Sequence, residues 1–399
     1  MKLNTLQENL AAGLAMVTRA VPKRGVMPIL SAVLLKAEAG RLQLMGTDLE
    51  MMIVCPVGAR IEEEGAIAVP AHPLLELVKG LPAEAISLDV EDHILHIQCG
   101  RFEAHLNGLS ADEFPIVPDF PPDAQVDMDA ELLRRMIKQV AFAAAEDEPS
   151  RPALNGVLFT LGAQCTMTAT DGFRLSVYSS EVPRREESPT GVSGEEGQAE
   201  AEDASVKVIV PARALTELAR LCTGEEPIVM AVAEEDRIFF QHQKVMLISQ
   251  LIAGHFPDVQ RVVPTGWKTR VEIDRTSLLQ AVRMAGIFAE GESRVIRLSF
   301  APEDPAGPGL VTVAGSGEVG EYVGEIEARV EGERLSLALA AGYLSAPLSC
   351  LDADRVVLEG NSPTYPLVIR PSGDEKENYL HLMMPLHLQE EKGEGVAES

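Results

Sequence analysis

Residue types that usually carry chemistry are thinly spread in this sequence. His93 and His96 stand three apart in a segment that alternates like a strand, so we expect them to face opposite ways and not to share a metal ion. Asp48 and Asp171 fall in predicted turns, where aspartate usually accepts local backbone hydrogen bonds. The motifs GxxxxGK[ST], HExxH and GxSxG are absent, and no nucleophile–base pair is evident. No catalytic residue, cofactor or bound metal is therefore predicted, which disfavours an enzyme.

Charge and composition narrow the class of protein further. The 399 residues include 34 Lys and Arg against 61 Asp and Glu, a net charge of −27, and 46% are hydrophobic. This composition is typical of globular chains, and the length suits two or three domains. The acidic balance, taken alone, argues against nucleic acid as a partner. Much of it lies in Glu186–Ser205 and Gln389–Ser399, which we expect to be disordered, solvated segments.

Two further features bear on localisation. No apolar stretch approaches the roughly 18 to 20 residues of a membrane-spanning helix, and the polar N-terminal segment is unlike a signal peptide. The five cysteines are scattered, odd in number and never spaced as CxxC. These features predict a cytoplasmic protein without disulfides or structural zinc.

Internal repetition is the strongest pattern in the chain. PILSAVLL (Pro28–Leu35) returns as PALNGVLF (Pro152–Phe159), and GTDLE (Gly46–Glu50) returns as ATDGF (Ala169–Phe173), at offsets of 124 and 123. VPAHPLLEL returns as VPARALTEL at an offset of 141, and EFP returns as HFP at 142. The offset grows because the acidic segment interrupts the second copy. Four blocks in one order indicate tandem domains.

A third copy is visible in its first helix. Apolar residues recur at i, i+4, i+7 and i+11 in three places, as one stripe of an amphipathic helix: Leu10, Leu14, Val17, Val21; Leu133, Ile137, Val140, Ala144; and Leu278, Val282, Ala285, Ala289. Asp129 and Asp274 precede the second and third stripes as candidate N-caps. Second helices are predicted at Pro73–Gly80, Ala212–Leu221 and Ala340–Leu351.

These elements define the predicted architecture. Three repeats, each with two helices and several strands that do not alternate as βαβ, favour an α+β fold with antiparallel sheets. We place domains at residues 1–124, 125–265 and 266–388, followed by an acidic tail at 389–399. With each stripe facing inward, Arg19, Arg135, Lys138 and Arg283 fall on the opposite helix faces, where they could meet a polyanion.

The same segments resemble a known family. PILSAVLL with GTDLEM, LNGVLF with ATDGFRLSV, VIVPARALTELARL, GHFPDVQRVVP and the C-terminal MMPLHL are similar to the bacterial DNA polymerase III beta subunit, over about residues 1–388. The resemblance implies the DNA-clamp fold, in which two chains join head to tail in a ring around duplex DNA. It also implies a non-catalytic processivity factor for DNA replication, which tethers the polymerase alpha subunit, the clamp loader and repair proteins.

The resemblance carries over specific residues. Arg24 matches a DNA-contacting arginine, and Leu106 is expected to meet Ile287 and Phe288 of another subunit. A pocket for a Gln-x-x-Leu-Phe-like peptide is expected between the second and third domains, with Leu154, Leu175, Val262 and Met384 as its apolar socket. The matching positions are Leu154, Thr170, Gly172, Phe173, Arg174, Leu175, Pro257, Arg261, Val262, Tyr343, Leu382, Met384, Pro385 and Leu386.

Some positions depart from the common family pattern, and one alternative stays open. Phe173, Ser293, Ala340 and His387 differ within or beside the expected pocket, which bears on peptide preference, and Ala104 replaces a larger apolar residue at the expected subunit contact. The acidic tail could fold over the pocket. The alternative function is an acidic peptide-binding scaffold that does not encircle DNA. A closed dimer in solution and capture on circular but not linear DNA would separate the two.

Overall fold

The described part of the first repeat contains two α-helices and nine strands. The structure, a computed structural model, describes residues 1–22, 27–121, 125–162, 164–181, 206–233, 236–291, 293–302, 309–373 and 378–386. The elements up to residue 121 are β1 (Lys2–Leu6), α1 (Gln7–Val17), β2 (Ala32–Glu38), β3 (Arg41–Thr47), β4 (Met51–Val57), β5 (Ala59–Glu63), β6 (Gly65–Pro70), α2 (Ala71–Gly80), β7 (Ala85–Glu91), β8 (Ile94–Cys99) and β9 (Phe102–Asn107).

The second and third repeats follow the same plan. The second contains β10 (Val126–Met128), α3 (Ala130–Val140), β11 (Gly156–Leu161), β12 (Gln164–Thr170), β13 (Arg174–Glu181), β14 (Val206–Pro211), α4 (Ala212–Leu221), β15 (Ile228–Ala233), β16 (Arg237–His242) and β17 (Val245–Gln250). The third contains β18 (Thr269–Asp274), α5 (Arg275–Phe288), β19 (Val295–Ala301), β20 (Leu310–Gly317), β21 (Gly320–Glu327), β22 (Arg329–Gly332), β23 (Leu335–Ala340), α6 (Ala341–Cys350), β24 (Arg355–Gly360), β25 (Leu367–Pro371) and β26 (Asn378–Met383).

By its internal contacts the chain divides into two compact units, which do not coincide with the repeats. The first unit is Met1–Arg135 with Val210–Ala253, and the second is Met136–Ile209 with Gly254–Ser399. The first contains a five-stranded sheet, β5-β1-β7-β8-β9, and an eight-stranded sheet, β10-β15-β16-β17-β4-β3-β2-β6. The second contains a four-stranded sheet, β21-β20-β19-β23, and a nine-stranded sheet, β14-β11-β12-β13-β26-β25-β24-β18-β22.

The large sheets join strands of successive repeats. In the first unit β4 pairs antiparallel with β17, with Met52 opposite Ile248. In the second unit β13 pairs antiparallel with β26, with Leu175 opposite Leu382. A sheet that continues from one repeat into the next buries backbone donors and acceptors that would otherwise form free edges. The predicted α+β class with antiparallel sheets is confirmed.

The predicted helices form where the apolar stripes place them. Leu10, Leu14 and Val17 are fully buried, and α1 packs its stripe against β3 and β4. Leu278, Val282 and Ala285 are likewise buried where α5 packs on β20 and β21. Burying such aliphatic side chains stabilises a fold by about 1.5–3 kcal/mol each. The second helices, α2, α4 and α6, confirm the predicted segments to within about two residues.

Both predicted N-caps are confirmed. The Asp274 carboxylate accepts a hydrogen bond from the backbone N–H of Ser277 at 2.7 Å. The Asp129 carboxylate does the same for Leu132, also at 2.7 Å. These bonds satisfy donors that have no partner in the first helical turn, and such caps contribute about 1 kcal/mol each.

One glycine explains how closely helix and sheet approach. A Cβ on Gly315 of β20 would stand 2.1 Å from the carbonyl oxygen of Ala285 in α5. Only a residue without a side chain allows the helix backbone to lie this near the strand. Packing therefore requires a glycine in the AGSGE segment (Ala314–Glu318) of the third repeat.

Candidate peptide-binding groove and nucleic-acid interface

The ATDG segment forms a tight turn between β12 and β13. Thr170 Oγ1 donates to the carbonyl of Arg174 at 2.6 Å and accepts from the N–H of Gly172 at 3.0 Å. Asp171 Oδ1 accepts from the N–H groups of Phe173 and Arg174, both at 2.9 Å. Gly172 has φ of 94°, a left-handed conformation that favours glycine. The expected local role of Asp171 is confirmed, since its carboxylate holds the turn.

The Arg174 side chain packs beside this turn. Its Nε donates to Asp171 Oδ2 at 2.8 Å, and its side chain is 16% exposed. The guanidinium lies 4.6 Å from the ring centroid of Tyr343 and 5.8 Å from that of Phe142, as in cation–π contacts. Burial raises the pKa of Tyr343, and the Asp171 charge adds to the rise while Arg174 opposes it. Arg174 is therefore held in a fixed position by an ion pair and two aromatic rings.

A groove opens next to this turn. It encloses about 780 Å³, within the range of ligand-binding clefts. The Met384 N–H donates to the Phe173 carbonyl at 2.8 Å, and the Leu386 N–H donates to the Ala338 carbonyl at 2.8 Å, so the segment after β26 is pinned along one side. The lining residues are Gly172, Phe173, Ser293, Arg294, Ala340, Gly342, Tyr343, Thr364, Met384, Pro385 and Leu386.

The chemistry of the groove is apolar with one cation. Phe173 is 59% exposed and Met384 is 38% exposed, which is unusual for large apolar side chains outside an interaction site. Among the described lining residues, Arg294 is the single charged one and none carries a carboxylate. Such a groove can accept apolar anchors of an extended peptide, with methionine adapting to different partners.

The structure brings only part of the expected pocket set into the lining. Gly172, Phe173, Tyr343, Met384, Pro385 and Leu386 line the groove. Leu154, Thr170, Leu175 and Leu382 are buried at 1%, 7%, 2% and 3% exposure. These four residues lie beneath the surface. Leu154 and Leu175, two of the four residues of the expected apolar socket, therefore pack in the core and do not line the groove.

The segment around residue 260 lies outside the groove lining. Arg261 pairs with Asp258 at 3.1 Å, and Val262 is 51% exposed. The neighbouring Val259 and Val263 pack on the core cluster of Leu175, Val368, Leu380 and Leu382. Pro257 is exposed on the same segment. This segment therefore connects to the groove through its core and not through the lining.

Sequence reasoning missed three lining residues. Arg294 follows the departure noted at Ser293, and Gly342 precedes Tyr343, so both could have been found by extending matched blocks by one residue. Thr364 comes from the loop between β24 and β25, where no pattern indicated a site. His387 lies outside the described residues, as do the acidic segment at 186–205 and the tail at 389–399.

The cations expected to meet DNA lie on or next to helices. Arg19 pairs with Glu217 at 3.1 Å, Lys138 pairs with Asp352 at 3.1 Å, and Arg283 donates to Ser349 Oγ at 3.1 Å. Arg135 is half-buried, and Arg24 lies outside the described residues. Surface ion pairs of this kind contribute little to stability, so these cations can leave their carboxylate partners and pair with other anions. Their role on DNA stays a prediction.

The residues expected at the subunit contact lie near sheet edges. Leu106 is on β9, the edge strand of the five-stranded sheet, and is half-buried. Ile287 at the end of α5 is 62% exposed, and Phe288 stacks on Tyr322 of β21 at 6.3 Å between ring centroids. β21 is itself the edge strand of the four-stranded sheet. Both surfaces are available to pair with another chain.

The expectation for the two histidines is partly wrong. His93 lies in the turn between β7 and β8 with φ of 62°, and only His96 is in the strand.

Four of the five thiols are buried, and burial raises the pKa of Cys55 to about 11 and those of Cys165 and Cys222 to about 12. These thiols stay protonated at neutral pH and are poor nucleophiles.

Within the described ranges no helix is long and apolar enough to cross a membrane.

Three repeats of this kind, with shared antiparallel sheets and a groove for apolar peptide anchors, define a DNA-clamp protein. Sequence models of the family confirm this class. The N-terminal, central and C-terminal domains of the DNA polymerase III beta subunit match residues 1–118, 127–258 and 260–385. The chain belongs to this family, the beta sliding clamps, which are replication processivity factors and accessory subunits of DNA polymerase III.

Individual relatives support the assignment along the whole chain. A beta sliding clamp of Pseudomonas putida is 32% identical over 96% of this chain and 98% of its own length. One of Synechococcus elongatus is 30% identical, with 98% and 100% covered. The crystal structure of a DNA polymerase sliding clamp from Bacillus subtilis matches with a TM-score of 0.85 at 26% identity, covering 98% of this chain and 100% of that one. A Pseudomonas aeruginosa sliding clamp bound to griselimycin matches with a TM-score of 0.83 at 28% identity, covering 97% and 100%. Nothing in these comparisons supports the alternative of a scaffold that does not encircle DNA.

Proposed function

We propose that two copies of this chain close head to tail into a ring around duplex DNA, and that partner proteins dock in the groove beside Tyr343. The observation that supports docking is the groove itself, with exposed Phe173 and Met384 on a rigid frame. The partners are the polymerase alpha subunit, the clamp loader and other proteins with a short peptide of apolar anchors. The protein would act in the cytoplasm without catalysis of its own.

The proposed domains follow the repeats. They are residues 1–124, 125–265 and 266–388, with an acidic insertion at about 186–205 and an acidic tail at 389–399. The edge strands β9 and β21, with Leu106, Ile287 and Phe288 near them, would form the subunit contact. Head-to-tail contacts form a closed ring of two subunits when each subunit turns through half a circle relative to the other.

The charge of the chain suits this role. A net charge of −27 opposes binding of DNA to the outer surface, because like charges repel. Arg19, Arg24, Arg135, Lys138 and Arg283 would instead face the phosphates inside the ring. Contacts to phosphates carry no sequence information, so they allow the ring to slide. The closed ring, and not tight binding, would then keep the protein on DNA.

A peptide titration tests the docking groove. We expect a fluorescein-labelled Gln-Leu-Ser-Leu-Phe peptide to bind the full-length protein saturably, and Met384→Glu to weaken this binding at least tenfold. A carboxylate in the apolar lining would have to be desolvated against the peptide, which costs more than about 1.4 kcal/mol. Fluorescence polarisation measures both affinities.

Met284→Glu is the matched control for this titration. Met284 is 40% exposed, close to the 38% of Met384, but it lies on α5 outside the groove lining. The control should bind like the parent. Equal binding by the parent and Met384→Glu would contradict the proposed groove.

The proposed DNA contacts predict a change in salt dependence. Each phosphate neutralised by a cation contributes about 0.9 to the slope of log K against log salt. The double variant Lys138→Ala/Arg283→Ala should therefore reduce the slope by up to about 1.8 in titrations of duplex DNA from low to moderate salt. Arg41→Ala, which removes an exposed cation from strand β3, should leave the slope unchanged. An unaltered slope in the double variant would refute these contacts.

A further inference from the structure

The first unit contains a turn that reproduces the Thr170–Arg174 turn bond for bond. Thr47 Oγ1 donates to the carbonyl of Met51 at 2.8 Å and accepts from the N–H of Leu49 at 3.0 Å. Asp48 Oδ1 accepts from the N–H groups of Glu50 and Met51, at 3.1 and 2.8 Å. The turn between β3 and β4 thus has the same geometry as the turn that borders the peptide groove.

The equivalence extends to the neighbouring strand. The N–H of Gln250 donates to the Glu50 carbonyl at 2.8 Å, as Met384 does to Phe173 at the same distance. On the paired strands Met52 stands opposite Ile248, as Leu175 stands opposite Leu382. Glu50 and Gln250 therefore occupy the positions of Phe173 and Met384 in the second unit.

A second groove opens at this place. It encloses about 300 Å³ and has Met52 and Ile248, both nearly buried, at its base. Leu49 and Ile116 form its walls and are 46% and 93% exposed. Two large exposed aliphatic side chains on one small groove are typical of an interaction site.

The backbone of Leu49 is a second observation. Its φ is 79°, where Gly172 stands in the equivalent turn with φ of 94°. A leucine in this left-handed conformation is strained because its Cβ crowds the backbone, and a glycine would avoid this strain. Strain of this kind is characteristic of positions where a side chain is needed for binding.

Size and charge restrict what can occupy the groove. The volume of about 300 Å³ lies at the lower end of the range for ligand-binding clefts, so the groove suits one anchor side chain of a short peptide. Glu50 is exposed on the rim and has no ion pair among the described residues. Arg237, the cation of the lining, lies 3.9 Å from the Asp236 carboxylate. A basic residue of the peptide could therefore form an ion pair with the Glu50 carboxylate.

We propose that this second groove binds an extended peptide that carries an aliphatic or aromatic anchor next to a basic residue. The proposal rests on the proposed function, because the first groove supplies the geometry of binding. The two grooves differ in charge, since the described lining of the first contains Arg294 and no carboxylate, whereas that of the second contains both Glu50 and Arg237, and Arg237 is already paired with Asp236. One chain can then engage two peptides of opposite charge preference at once, or one partner through two linked segments.

The experiment uses the full-length protein with two labelled peptides, Gln-Leu-Lys-Leu-Phe and Gln-Leu-Glu-Leu-Phe. Met384→Glu closes the first groove, and the lysine peptide should still bind this variant, with one site per chain. Adding Leu49→Gly should weaken that binding at least tenfold while leaving the thermal stability unchanged or higher, because glycine relieves the strained φ. Adding Glu50→Lys should instead reverse the preference toward the glutamate peptide.

The outcomes separate the two proposals. If the parent binds these peptides but Met384→Glu binds neither, the second groove is refuted and the first stands. If the lysine peptide binds Met384→Glu and neither Leu49→Gly nor Glu50→Lys changes its affinity, the site lies elsewhere and the proposal fails. If the parent binds no peptide at all, the proposed docking function fails and the second groove with it.

Discussion

Replacing Ile287 with glutamate is expected to convert the dimer into monomers. Ile287 ends α5 with 62% of its side chain exposed, next to Phe288, and the proposed contact places it against Leu106 of the partner subunit. Moving a carboxylate from water into an apolar contact costs several kcal/mol. A two-subunit ring has two copies of the contact, so the cost is counted twice. The dissociation constant should therefore rise by at least roughly a thousandfold.

Solution mass measures this effect. Sedimentation or light scattering at micromolar concentration should give a mass near twice 43.0 kDa for the parent and near 43.0 kDa for Ile287→Glu. Ile116→Glu is the matched control, since the same substitution on an isoleucine that is 93% exposed in the other unit should leave the dimer intact. A dimeric Ile287→Glu would show that the ring closes through other residues.

The helices and the turns of this fold could be predicted because their signals are local. The stripe of Leu278, Val282 and Ala285 recurs within one helix, and the Asp274 carboxylate acts three residues away. The same holds for Asp171, whose partners are Phe173 and Arg174. Side chains that act on their own neighbourhood leave patterns that periodicity and spacing can reveal.

The sharing of sheets between repeats could not be predicted in this way. β4 and β17 pair across about 200 residues, and so do β13 and β26. Their register depends on how buried side chains fit across the ladder, which a single strand does not show. This is why the repeats were found from the sequence but the two compact units were not.

The resemblance predicted where the groove lies but not all of its lining. The lining, like the pairing of distant strands, depends on contacts between residues that are far apart in the sequence. Tyr343 and Phe142 enclose the Arg174 guanidinium from elements that are distant in sequence, and Thr364 reaches the groove from a loop. Whether an apolar residue lines a surface or supports it from below also depends on tertiary packing. Leu154 and Leu175 were expected to meet the peptide, yet their side chains are 1% and 2% exposed.

Strand β26, which leads into the groove segment, contains a buried histidine whose pKa is shifted. His381 on β26 is fully buried, and its Nδ1 is 2.7 Å from Ser176 Oγ. Burial lowers the pKa of His381 to about 3, and the Arg174 charge adds to this shift. In the unfolded chain a histidine has a pKa of about 6.5. The imidazole is therefore neutral in the folded protein across the range in which the unfolded chain takes up a proton.

This difference predicts a loss of stability in mild acid. Because the folded pKa lies below the unfolded one, the contribution of His381 is complete above about pH 6.5 and is lost as the pH falls from 6.5 toward 3. Between pH 7.5 and 5.5 the free energy of unfolding should fall by about 1.4 kcal/mol from this group alone. Most carboxylates titrate at lower pH, so they contribute little to this interval.

Urea denaturation followed by the fluorescence of Trp267 can measure the effect, because this single tryptophan lies in the same unit as His381. The double variant Ser176→Ala/His381→Leu removes the imidazole together with the hydroxyl that would otherwise lose its partner. It should lose about 1.4 kcal/mol less than the parent between the two pH values. His255→Ala, at an exposed histidine of the same unit, should follow the parent. If the double variant and the parent lose the same free energy, the imidazole already has access to protons in the folded state, and the packing around β26 must open without unfolding.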